Sequence, residues 1–70
     1  MYQKRKALIQ YRGSRSQAEM GKKYGVTPQA WSQWENSINT PSAATMHRIA
    51  TDANLPIEII FFTYDNKLQL

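Results

Sequence analysis

A chain of 70 residues without cysteine has room for one small domain, burying roughly 60% of the surface its unfolded form exposes, and has neither a disulfide nor a thiolate metal site to reinforce it. Nine Lys and Arg against five Asp and Glu give a net charge of +4, and the pI near 9.7 suits a polyanionic partner. No apolar run approaches the roughly 18 residues of a membrane span, and the start, MYQKRKALIQYRG, lacks the apolar stretch of an export signal, so the expected address is the cytoplasm.

Lys4 to Arg12 places Ala7, Leu8 and Tyr11 at helical spacing between basic residues, which predicts a first helix ended by Gly13 and Ser14. Ser16, with Glu19 three residues later, has the form of a capping box at the start of a second helix. The apolar positions of that helix are Ala18, Met20 or Gly21, and Tyr24, and Gly25 supplies the positive φ of a tight exit. Thr27 and Pro28 repeat the entry signal: a hydroxyl cap, then a proline where its missing N–H costs nothing, so a third helix begins at Pro28. Residues 36–40 are polar, Pro41 and Ser42 open a fourth helix, and Ala43, Met46, Ile49, Ala50 and Ala53 give it an apolar stripe of period 3.6. Asn54 is expected to cap its end, Leu55 to anchor in the core, and Pro56 to stand in the first turn of a short fifth helix, Ile57 to Phe62. The tail TYDNKLQL fits strand or coil. Without a repeat, a low-complexity tract or a long alternating run, the expected fold class is all-α: a compact five-helix bundle over residues 1–62 with a tail over 63–70.

On the third helix Trp31 and Trp34 share one face with Ala30 and the preceding Val26, while Gln29, Ser32, Gln33 and Asn36 share the other. Two helices joined by Tyr24-Gly25-Val26-Thr27, the second with a polar outer face, form a helix-turn-helix, whose second helix is offered to the major groove of a duplex. The indoles would hold that helix from behind. Glutamine pairs a donor and an acceptor in one plane, matching the N6 and N7 edge of adenine, so Gln29 and Gln33 are the expected base readers. Ser32 lies between them, and Pro28 offers ring carbons to a thymine methyl. Ser16 and Gln17 open the second helix, where N–H groups and the macrodipole favour a phosphate. Asn36, Ser37 and Asn39 are expected to clamp a second phosphate, and Lys23 to reach another. Charge points the same way, since residues 1–48 hold eight basic and two acidic side chains and residues 49–70 one and three.

SQAEMGKKYGVTPQAWSQWEN and TPSAATMHRIATDANLPIEIIF resemble the two halves of the motif of phage Cro and repressor type helix-turn-helix regulators, the XRE family, over about Lys4 to Phe62. The resemblance implies a lambda-repressor-like DNA-binding domain. It makes Gln17 the phosphate contact at the start of the second helix, puts Pro28, Gln29, Ser32 and Gln33 at base-reading positions, and has Asn36 touch the backbone. Trp34 and Glu35 match the family's WE, in which the glutamate pairs with an arginine of the first helix. That arginine is Arg12 if the segment before Ser16 is shorter than usual, whereas an ungapped reading places Gln10 there. Gly21 stands where the family carries alanine, which loosens the second helix unless it lets Trp31 approach. Pro28 replaces a polar side chain of many relatives.

No enzyme is expected: the acids are scattered, no Gly-rich phosphate loop is present, and the hydroxyls with basic neighbours are caps. His47 has no second histidine or cysteine near it, so no metal is expected either, nor a cofactor or small-molecule ligand. The apolar residues of 57–62 cannot all face one bundle, which predicts homodimerisation through residues 57–70, with Ile59, Phe61 and Phe62 at the contact. The implied function is a repressor of phage or mobile-element origin that occupies a double-stranded DNA operator at the bacterial nucleoid, with no room in 70 residues for a ligand-sensing domain. Two rivals are an antirepressor or modulator that binds a larger repressor protein through the apolar C-terminal segment, and an antitoxin.

Overall fold

The computed structural model describes residues 3–62. They form five helices, α1 (Lys6–Arg12), α2 (Gln17–Tyr24), α3 (Pro28–Glu35), α4 (Ala43–Ala53) and α5 (Ile57–Phe61). Three of the starts are set by local chemistry. The side-chain oxygens of Ser16, Thr27 and Ser42 each accept the backbone N–H three residues on, and Glu19 completes the capping box by accepting the Ser16 N–H at 2.8 Å. The ends of α2, α3 and α4 share one device, a residue in left-handed conformation: Gly25 (φ 75°), Ser37 (φ 61°) and Asn54 (φ 58°). Each lets the next N–H turn back on a carbonyl of the last turn: Val26 on Gly21, Ile38 on Gln33, Leu55 on Ala50.

Side chains of all five helices meet in one core that includes Leu8, Met20, Trp31, Ile49, Ile60 and Phe61. α2 lies against α3, α4 against α5, and α1 against both α3 and α5. Gly21 is where α2 meets the turn that follows it: a Cβ there would stand 2.5 Å from the Val26 carbonyl oxygen. The close neighbour is thus turn backbone, not Trp31 as the sequence suggested. Buried Tyr24 donates to Asp52 of α4 (2.7 Å) and, its one hydrogen spent, accepts from Tyr11 of α1 (2.7 Å).

Several expectations shift. The first helix begins at Lys6, not Lys4, because the Arg5 backbone is non-helical (φ −84°, ψ 88°) and is held elsewhere, its N–H donating to the Glu35 carbonyl at 2.7 Å. Ala18 and Ala43 are exposed, lying at the solvent edges of stripes that Met20, Tyr24, Ile49 and Ala50 suffice to bury. Leu55 is no core anchor at 40% exposure, since the capping turn spends its backbone on Ala50 and leaves its side chain outside. Pro56 precedes α5 as its N-cap rather than standing in its first turn. Phe61 is 1% exposed, with the Arg5 guanidinium over its ring, so it has no surface to offer a second copy, whereas Ile59 (43%) and Phe62 (55%) do. The tail over 63–70 lies outside the described residues.

Candidate nucleic-acid interface

The candidate interface lies on α3, whose inward face is aromatic. Trp31 is fully buried and Trp34 nearly so. Trp31 stacks on Tyr24 with ring centroids 5.7 Å apart and meets Trp34 at 5.6 Å, tilted. With the rings behind, Gln29 and Gln33 stand exposed in front and Ser32 half-buried between them. Gln17, Pro28, Gln29, Ser32 and Gln33 line one open recess. Five side chains singled out in the sequence are therefore brought together, one from the start of α2 and four along the outer face of α3.

Glu35 locks this arrangement. Its carboxylate is 3% exposed and receives Arg12 Nε at 2.6 Å and Nη2 at 3.3 Å, Gln17 Nε2 at 3.0 Å and the Trp31 indole N–H at 2.6 Å. α1, α2 and α3 are tied through one group. The arginine paired with Glu35 is Arg12, not the Gln10 position of an ungapped reading. Burial opposes the Glu35 charge, but the bonds from Arg12, Gln17 and Trp31 outweigh it and hold the carboxyl below its ordinary range. Gln17 thus has its amide nitrogen turned toward Glu35, with its half-buried side chain at the rim of the recess.

The loop after α3 is more occupied than its polar composition suggested. Asn36 donates to the Ser32 carbonyl (2.9 Å) and accepts from Lys4 Nζ (3.0 Å). Ser37 donates its hydroxyl hydrogen to the Gln3 carbonyl, and Asn39 Nδ2 donates to Gln33 Oε1 at 2.6 Å. A phosphate contact by the Ser37 hydroxyl would have to displace the Gln3 carbonyl, because a hydroxyl has a single hydrogen to give. Ser16 has its side-chain oxygen engaged by the Glu19 N–H (3.0 Å) but keeps its own hydroxyl hydrogen. Lys23 is not part of the recess: it stands at the opposite end of α2 from Ser16, its ammonium over the Tyr24 ring.

Arg5 was missed. In the sequence it is one basic residue among several, yet here it is 4% exposed, donating to the carbonyls of Trp34 (2.7 Å) and Asn39 (2.8 Å) and to Thr40 Oγ1 (2.8 Å). No periodicity marks such a residue, because its acceptors lie about thirty positions away.

Among the described residues no group of three or more His, Cys, Asp or Glu side chains could hold a metal ion, and no helix is long and apolar enough to cross a membrane. A helix-turn-helix family model matches residues 5–60. Neither the curated proteins nor the solved structures include a match to the chain.

Proposed function

The chain belongs to the helix-turn-helix family of Cro and repressor type, DNA-binding transcription regulators and not enzymes, and on that premise we propose that it is a phage or mobile-element repressor that acts by occupying a specific operator. The observation that carries the reading is the division of α3, with Trp31 and Trp34 buried behind and Gln29 and Gln33 exposed in front. Gln29 and Gln33 read bases, with Ser32 and Pro28 shaping the contact, and Gln17 and Ser16 hold a phosphate at the start of α2. The work is done at the nucleoid, in the cytoplasm.

The repressor binds as a homodimer. Exposed Ile59 and Phe62, three apart at the C-terminal end of the fold, support this: a single motif reads few base pairs, while a two-fold pair reads half-sites about 34 Å apart. Phe61 supports the dimer from inside the core rather than touching the partner.

Selection of bound sites from a random duplex pool, followed by salt titration on the enriched duplex, tests the reading. An inverted repeat should emerge, and log affinity should fall against log salt with a slope near −0.9 per phosphate neutralised. A flat salt dependence with no enriched sequence would overturn the operator and favour a modulator that binds a larger repressor through the exposed apolar residues.

A further inference from the structure

We propose that Asn39 is a positioning residue that sets the polarity of the Gln33 side-chain amide, so that Gln33 offers hydrogen-bond donors to the duplex; the inference rests on Gln33 being a base reader. Asn39 Nδ2 donates to Gln33 Oε1 at 2.6 Å. That bond turns the oxygen of the amide toward the loop and leaves Nε2, with two hydrogens, for the groove. Among the described residues the Gln29 side chain has no comparable tie, so the two glutamines of one helix face are not equivalent.

The loop is built to hold Asn39 there. The Ile38 and Asn39 N–H groups both donate to the Gln33 carbonyl, at 3.0 and 3.4 Å, which folds the loop back over the last turn of α3. The Asn39 carbonyl accepts from Arg5 Nη1 at 2.8 Å. Arg5 is itself buried and fixed by its bonds to Trp34 and Thr40, so the orientation of an exposed amide is referred back to a charged group inside the fold.

The consequence is a base preference different from the one a free glutamine has. Pairing with adenine needs Oε1 to accept from N6 while Nε2 donates to N7. With Oε1 turned to the loop and Nε2 outward, the amide favours edges that present acceptors, guanine N7 and O6 or thymine O4. A hydrogen bond of this kind biases the two amide orientations roughly two- to tenfold.

The test uses the full chain and random-pool selection, comparing wild type with Gln33→Ala, Asn39→Ala and Asn39→Asp, each checked for folding by thermal unfolding. Gln33→Ala identifies the base pair that Gln33 reads, as the position where preference is lost. At that pair Asn39→Ala should flatten the wild-type preference severalfold. Asn39→Asp replaces the donor by an acceptor, attracts Nε2 and turns Oε1 outward, so the preferred base there should change to one presenting a donor, with the other positions unchanged. The added negative charge weakens every duplex alike, so the readout is the ratio between bases and not the affinity. If Asn39→Asp and Asn39→Ala select the wild-type base at the Gln33 position, the positioning role is refuted while the repressor reading stands. If Gln33→Ala alters no position, the premise that Gln33 reads a base is lost; if wild type enriches no sequence, it is the repressor reading that fails.

Discussion

Trp31 and Glu35, one turn apart on α3, are joined by a 2.6 Å hydrogen bond from the indole N–H to a carboxylate that also binds Arg12 and Gln17. A buried aromatic ring, a salt bridge and a residue of the recess thereby share one acceptor. Glu35→Gln should cost roughly 3 kcal/mol, because it leaves Arg12 without its counter-charge and breaks a network three helices depend on. Urea unfolding measures the loss.

The same group sets the acid limit. The Glu35 carboxyl is held below its ordinary range in the fold, so its contribution is fully present above the unfolded-state pKa near 4.3 and is lost as pH falls through the folded value. Melting temperature should therefore drop below about pH 4.5 in wild type, and the part of that drop due to Glu35 should be missing in Glu35→Gln.

At the alkaline end Tyr24 takes over. Burial, then the hydrogen bonds with Tyr11 and Asp52, push its hydroxyl well above the usual phenol range. With the folded pKa raised, its stabilisation is complete below the unfolded-state value near 10 and fades as pH rises beyond it. Tyr24→Phe should cost about 1–2 kcal/mol at neutral pH and should weaken the alkaline fall, as thermal unfolding across pH will show.

Gly21→Ala pits two effects against each other. Alanine gains about 1 kcal/mol of helix propensity over glycine. Its Cβ would meet the Val26 carbonyl oxygen at 2.5 Å, and overpacking against backbone costs about 1–3 kcal/mol. The expected net is a lower melting temperature, and a rise would show that the turn yields readily.

For Arg5, lysine keeps the charge but not the planar fork that reaches two carbonyls and a hydroxyl. Arg5→Lys should destabilise by about 2 kcal/mol. It should also speed hydrogen exchange of the Ile38 and Asn39 amides more than that of α4.

Much of the chain was legible because its signals are local. The hydroxyl caps at Ser16, Thr27 and Ser42 and the left-handed exits at Gly25 and Asn54 need only neighbours within a turn, and the indole and amide faces of α3 follow from helical period alone. Arg5 was missed and Leu55 misread for the opposite reason. Whether a basic residue enters the core, or an apolar one leaves it, depends on partners remote in the chain: the carbonyls beyond α3 in one case, the path from α4 into α5 in the other. The Asn39 bond to Gln33 was equally hidden, since six positions across a turn have no fixed spacing rule.

Both tryptophans of the chain stand behind the same helix. Intrinsic fluorescence is consequently a private optical channel for α3, with no indole elsewhere to dilute it. A red shift in emission reports water reaching the back of that helix, while a duplex docked on the far side leaves the rings dry. One cuvette can thus separate loss of the scaffold from loss of binding in any variant of the polar face.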